Sequence, residues 1–398
     1  MAIYARILRT PGVAPIVAAT VIGRLPIGIT SLAILLFVEE TTGSFAPAGA
    51  AAGALALGSA LGAPFQGRLV DRRGDGTLLP LAAIHAVGLL LVWMIGSAGA
   101  PMLPLVLVSL VTGAALPPLT SVLRSRWKLL LPPELVHGAY AFDSVLVEFI
   151  FITGPLLTTA IVATVGPEYA LGVSATCVLS GTLLLLAGLR GRSAPVRVTE
   201  GTALGIGPLA APGLRTLVVA SLPVGFALGA LEVTLPAFSD AEGSRALAGV
   251  LLAVWSAASG AAGLVYGARA LELPLTDVHL RLACILPLGF AALLLAASPV
   301  TMALLVIVAG APIAPLIASR NQLVERVAPS GTATEAFTWP LTALVTGVSI
   351  GAATAGPLVE SRSWTAGVTA AVAVSAIGAA VLLARRETLT PALAPDPA

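Results

Sequence analysis

The feature that most constrains this chain is a succession of twelve apolar runs, separated by short stretches rich in arginine, proline and glycine. They lie at 13–38, 45–70, 77–97, 101–123, 136–165 and 168–189, then at 214–238, 246–268, 278–297, 299–319, 332–358 and 364–384. A hydrocarbon core of about 30 Å is crossed by about 20 apolar helical residues, so every run is long enough to span it. Composition excludes a water-soluble alternative. Charged residues make up 10% of the chain and mean hydropathy is +1.00, whereas a soluble domain carries about 25% charged residues. The expected fold is an all-α integral membrane protein with twelve transmembrane helices. Arg6 and Arg9 precede the first run, but the run is too long for a signal-peptide core and no cleavage site follows, so it is read as a retained membrane helix.

Orientation follows from the basic residues, which concentrate on the cytoplasmic side of membrane proteins. With the N-terminus inside, the inner segments carry eighteen of the twenty-one lysines and arginines. The outer loops carry only Arg245 and Arg362, and Arg24 lies within a run. Both termini are therefore expected to be cytoplasmic. Lys128 is the only lysine and Asn321 the only asparagine, a codon bias that points to a bacterial source and so to the inner (plasma) membrane. A net charge of +2 suggests no nucleic-acid partner.

The one long polar connection divides the chain into an N-terminal six-helix bundle (1–190), a cytoplasmic linker (191–213) and a C-terminal six-helix bundle with a short tail (214–398). Offsetting the sequence by 197 residues aligns Pro118 with Pro315, Pro132 with Pro329, Ser59-Ala60 with Ser256-Ala257, and Ala139-Tyr140 with Ala336-Phe337. Such self-similarity marks a duplicated unit. Six spans return the chain to its starting side, so the two copies are parallel repeats.

After the second run comes Gly67-Arg68-Leu69-Val70-Asp71-Arg72-Arg73-Gly74. It is similar to the signature loop of the major facilitator superfamily, without the family's two trailing basic residues, because Asp75 and Gly76 follow. Together with the helix count and the parallel repeat, it makes the chain resemble a twelve-helix member of that family of the drug and metabolite efflux type. The resemblance implies a conformational latch built from Gly67, Asp71, Arg72, Arg73 and Gly74, with Asp71 accepting from the N-terminus of the eleventh helix. It also implies that the first, fourth, seventh and tenth helices line a central cavity. Gly154-Pro155 fits the centre of a fifth-helix motif found in the family's proton-driven exporters, although Ile150 and Thr158-Thr159 stand in place of the flanking glycines.

Ionisable groups within membrane spans are costly and mark candidate sites. Arg24 is about 16 Å and Glu148 about 18 Å from the inner ends of their helices, at 1.5 Å per residue. The shared level allows an ion pair, either proton-exchanging or permanently structural. Asp143 is the second candidate proton carrier. Glu232 lies towards the outer end of the seventh helix, as an outer gate, a substrate contact or a solvated rim acid. Pro117 with Pro118, and Pro312 with Pro315, interrupt the fourth and tenth helices at matching places, a pointer to the binding region of a transporter. Phe337 and Trp339 are read as an interfacial aromatic anchor in preference to packing at the latch. His85 is expected to be a packing residue.

The three histidines lack metal-ligand spacing, and no nucleophile elbow or phosphate loop occurs. No cofactor, metal or catalytic residue is expected, and Cys177 and Cys284 read as small core residues. The expected function is a monomeric secondary transporter that exchanges protons for a small, partly apolar compound in an export direction. The alternatives are an importer or uniporter of a polar solute such as a sugar, and a non-transporting membrane sensor.

Overall fold

The computed structural model describes residues 2–43, 45–191, 207–243, 245–269 and 272–389. Among them are twelve helices long and apolar enough to cross a membrane, and no strand. The first six spans are Val13–Thr42, Pro47–Arg73, Asp75–Ser97, Met102–Leu130, Pro133–Thr164 and Pro167–Leu189. The second six are Pro212–Ala241, Leu247–Ala268, Leu275–Leu295, Pro299–Val327, Ala333–Ser361 and Trp364–Ala384. Large apolar side chains such as Phe65, Leu288, Leu295 and Val300 are about 70% exposed on their outer faces, a surface suited to lipid and not to water. The chain is thus a multi-pass membrane protein.

Two spans outrun their apolar stretches. The fourth and tenth continue to Leu130 and Val327 instead of stopping near 123 and 319, because the arginines that appeared to end them are buried. Arg124 and Arg126 are 2% and 6% exposed, and Arg320 is 5% exposed. A short helix, Ala2–Arg9, precedes the first span. Burial of its Tyr4 pushes the phenol up to about 12, so it stays neutral.

The described residues fall into two compact units. One comprises Ile3–Val136 with Leu146–Thr199, the other Met1–Ala2 and His137–Val145 with Glu200–Ala398. The linker expected over 191–213 lies mostly outside the described residues; a 3-10 turn at Gly207–Ala210 leads into the seventh span. Within the first unit, the first span packs on the second and sixth, the third on the fourth and sixth, and the second on the fourth. Within the other, the seventh packs on the eighth and twelfth, the ninth on the tenth and twelfth, and the eighth on the tenth. The same pairing recurs six spans later, as a duplicated unit requires.

Close backbone approach lets helices associate without a hydrophobic drive, and small residues permit it. A Cβ on Gly28 of the first span would lie 2.6 Å from the Ile150 carbonyl, and one on Gly154 of the fifth would lie 2.5 Å from Gly28 Cα. The repeat equivalents at the 197-residue offset are Gly225 and Gly351. There a Cβ would lie 2.0 Å from the Leu344 and Phe226 carbonyls respectively, at the crossing of the seventh and eleventh spans. Gly154 is therefore a packing glycine whose counterpart does the same work in the second copy.

Candidate functional site

The fourth and tenth spans are each two helices in series. Met102–Ala114 stops short of Pro117-Pro118, and Leu119–Leu130 resumes with Pro118 at its N-cap. Pro299–Gly310 gives way to Ile313–Val327 with Pro312 at the N-cap and Pro315 in the first turn. All four prolines are buried. Proline has no N–H, so each break frees carbonyls that need other donors. Pro118 cannot donate to Ala114, and the Gln66 side-chain amide donates to that carbonyl instead. His85 Nδ1 donates to the Thr112 carbonyl at 2.7 Å. In the second copy, Ser259 Oγ accepts from the Ala314 N–H at 3.2 Å. His85 thus supports the helix break, a polar task within its expected packing role. Pro312 and Pro315 line a groove of about 1090 Å³ bounded by the eighth, ninth and tenth spans.

Beside each break sits a buried guanidinium. Arg24, 1% exposed, donates from Nη2 to the Thr120 carbonyl at 3.5 Å, linking the first span to the second half of the fourth. Arg320 donates from Nη1 to Ser221 Oγ at 3.3 Å and from Nη2 to Asn321 Oδ1 at 3.4 Å, linking the tenth span to the seventh. Ser221 is the repeat equivalent of Arg24. Each copy therefore places a guanidinium between the same two helices, delivered from opposite partners. Ser221, His279 and Arg320 also border a cavity of about 20 Å³ among leucines, enough for one water. Ser319 donates its hydroxyl proton to the Leu316 carbonyl at 3.0 Å, so it accepts from His279 Nδ1 at 2.9 Å.

The candidate carboxylates differ in setting. Glu148 is half-buried on the fifth span, and Asp143 is fully buried in the segment 137–145. Glu232 is exposed on the seventh span. The glycine crossing relates Glu148 to Arg24. Arg24 lies four residues before Gly28 and Glu148 six before Gly154. In parallel helices those offsets correspond to about 6 and 9 Å from the crossing.

The loop after the second span turns at Gly74, whose φ of 84° favours glycine. Asp71 is half-buried, Arg72 and Arg73 are exposed, and Gly67 lies one turn before Asp71. Asp75, which departs from the family pattern, has a partner of its own: Arg126 Nη2 donates to its Oδ1 at 2.6 Å, with both side chains at most 7% exposed. Phe337 corrects an expectation. It is 2% exposed and its ring lies 6.0 Å from Tyr140, so it packs inside the protein and is not an interfacial anchor. Trp339 Nε1 donates to Glu335 Oε1 at 3.4 Å. Cys177 and Cys284 are half-buried free thiols.

Sequence reasoning missed Gln66, Asp75, Arg126 and the group His137–Tyr266–Gln322. For Gln66 the available signal was a single uncharged amide beside the loop motif, four residues from Val70. For Arg126 it was a guanidinium that hydropathy alone assigns to a loop.

The family model of the Major Facilitator Superfamily matches residues 16–273. The chain belongs to that superfamily. It is a secondary transporter with a small-molecule substrate, not an enzyme. A search of curated sequences returns no match. Solved structures share the fold. The human organic anion transporter MFSD10 (TETRAN) aligns with a TM-score of 0.70 at 17% identity, over 96% of this chain and 100% of its own. A bacterial homologue of the iron transporter ferroportin, in an outward-facing state, gives 0.76 at 12% identity, over 94% and 99%. The proton:xylose symporter XylE gives 0.70 at 13% identity, over 93% and 95%.

Proposed function

We propose that this member of the superfamily is a proton-coupled exporter of a small, partly apolar compound, working by alternating access as a monomer in a bacterial inner membrane with both termini cytoplasmic. The observation that carries the reading is the crossing of the first and fifth spans at Gly28 and Gly154. It supports a common level for Arg24 and Glu148, about 3 Å apart along the helix axes. A carboxylate at that depth is costly unless paired. Glu148 stays ionised beside Arg24 and is neutral when it carries a proton, so proton binding weakens the pair and substrate binding competes for Arg24. Asp143 is the second candidate carrier, and Glu232 a contact near the far mouth. The loop from Gly67 to Gly74 is the latch that closes the cytoplasmic side, and the prolines of the fourth and tenth spans mark the helices that bend.

The apolar, aromatic-poor spans and the single asparagine favour an exporter over a sugar importer. The structural neighbours do not decide the point, since they include a sugar symporter, an iron transporter homologue and an organic anion transporter.

A thermal-shift screen of the purified protein, across sugars, amino acids, nucleosides and amphipathic drugs, tests the proposal. A ligand at 100 times its Kd stabilises the folded state by about 2.7 kcal/mol. Stabilisation by amphipathic compounds, altered in Glu148→Gln, is expected. Stabilisation by a sugar, equal in both proteins, sinks the proposal.

A further inference from the structure

The groove beside the break in the tenth span has ends of different chemistry. Its floor is Ala262, Ala311, Pro312 and Pro315, and its walls are largely aliphatic, with Val265, Ile285 and Val308 each about half exposed. Where the eighth span ends and the ninth approaches, the walls finish in Arg269 and Glu272, both exposed. All of these residues lie in one compact unit.

The repeat explains how the groove comes to be apolar inside and charged at its rim. At the 197-residue offset, Gly263 stands in place of Gln66 and Leu282 in place of His85. The first copy uses those two polar side chains to tie the second and third spans to carbonyls of the fourth. The second copy has neither, and presents apolar surface instead. Glu272 corresponds to Asp75, which Arg126 holds in the protein interior, but Leu323 stands at the position of Arg126. Glu272 therefore stays at the surface. Arg269 corresponds to Arg72, so the rim carries one base and one acid.

The depth fits one leaflet of a bilayer. The ninth span begins at Leu275, and Ile285 lies about 15 Å further along it at 1.5 Å per residue. That is half of a hydrocarbon core of about 30 Å. A headgroup at the rim would thus lay its tail along the groove as far as the midplane. Beyond Ile307 a second groove of about 350 Å³ continues between the eighth and tenth spans, and it is aliphatic throughout. The charges belong to one end alone.

We propose that the groove binds a phospholipid with an ethanolamine headgroup. It comes from the leaflet on the side of the N-terminus, because eight spans return the chain to its starting side. The phosphate is set against the Arg269 guanidinium, whose fork of N–H donors matches two phosphate oxygens. The primary ammonium is set against the Glu272 carboxylate, to which it donates a hydrogen bond. A choline headgroup carries its charge under methyl groups and has no N–H to donate. A phosphatidylglycerol headgroup has no cation, so its net negative charge meets Glu272 unopposed. The tail covers the half-exposed aliphatic walls. The site stands apart from Glu148 and does not depend on the direction of transport.

Native mass spectrometry of the full-length protein tests the assignment. The protein is delipidated in detergent and offered phosphatidylethanolamine, phosphatidylcholine and phosphatidylglycerol together. One phosphatidylethanolamine is expected to bind in preference to the other two. Glu272→Gln should lower its preference over phosphatidylcholine about three-fold, the worth of an exposed ion pair. Arg269→Gln should weaken binding of all three lipids. Ala262→Phe, which fills the floor, should expel the lipid whatever its headgroup. Should that variant not fold, the two rim variants still decide, since both change exposed side chains. Equal binding of the three headgroups, an unchanged preference in Glu272→Gln, or a mass of two chains without lipid overturns the proposal. The readout is bound lipid and involves no transport, so this failure is distinct from failure of the exporter reading.

Discussion

At the scale of single residues, several buried charged and amide side chains in this protein are tied to specific partners on other helices. Asp75 and Arg126 are the clearest case, at 2.6 Å and nearly inaccessible. Removing one member of such a pair strands the other charge. Arg126→Ala is expected to cost about 3–5 kcal/mol, read as a lower thermal-unfolding midpoint in detergent. Asp75→Asn combined with Arg126→Gln should recover part of that loss, because two neutral amides can still bond. This pair was not legible in the sequence. The loop resemblance set Asp75 aside as a departure, and Arg126 looked like a topology-setting charge at the end of a span. Arg24 and Glu148 were legible, because an isolated charge well inside an apolar run needs an explanation whatever the fold. Phe337 was misread for the opposite reason, since hydropathy cannot tell an aromatic facing lipid from one facing Tyr140.

At the scale of elements, the breaks in the fourth and tenth spans connect sequence to structure most directly. Proline at 117–118 and at 312 and 315 interrupts the hydrogen-bond ladder at matching places, and polar side chains from neighbouring spans replace the lost bonds. Gln66 substitutes for the N–H that Pro118 lacks. Gln66→Leu should leave the Ala114 carbonyl unsatisfied in an apolar setting, at a cost of about 1–3 kcal/mol. Adding Pro118→Ala supplies a backbone N–H four residues after Ala114, so the double variant should recover stability. An additive loss would show that Gln66 serves some other purpose. The breaks could be anticipated because proline leaves few alternatives. The side chains that repair them could not, since Gln66 and His85 come near the Ala114 and Thr112 carbonyls only once the second, third and fourth spans pack together.

At the scale of the whole molecule, duplication explains why the same solutions appear twice. The 197-residue offset, found from prolines and aromatics, also relates Gly28 to Gly225 and Gly154 to Gly351, which were not among the residues that revealed it. Gly28→Leu and Gly225→Leu should each force a helix pair apart and destabilise by about 1–3 kcal/mol. Gly53→Ala, at a position with nothing within 4 Å, should instead raise stability by about 0.5–1 kcal/mol through helix propensity. Thermal unfolding of the three variants checks both signs. Span number, repeat and family were legible because lipid imposes length and low charge on every span. Substrate and direction were not, because they rest on a few side chains that the shared fold does not dictate.

The central claim is that protons drive export through Glu148, and one measurement addresses it most directly. Everted membrane vesicles are acidified inside, and a pH-sensitive dye records proton release when the best amphipathic ligand from the thermal screen is added. The wild-type protein should collapse part of the gradient, while Glu148→Gln, still folded and still binding the ligand, should leave it intact. Equal proton release by the two proteins would contradict the account.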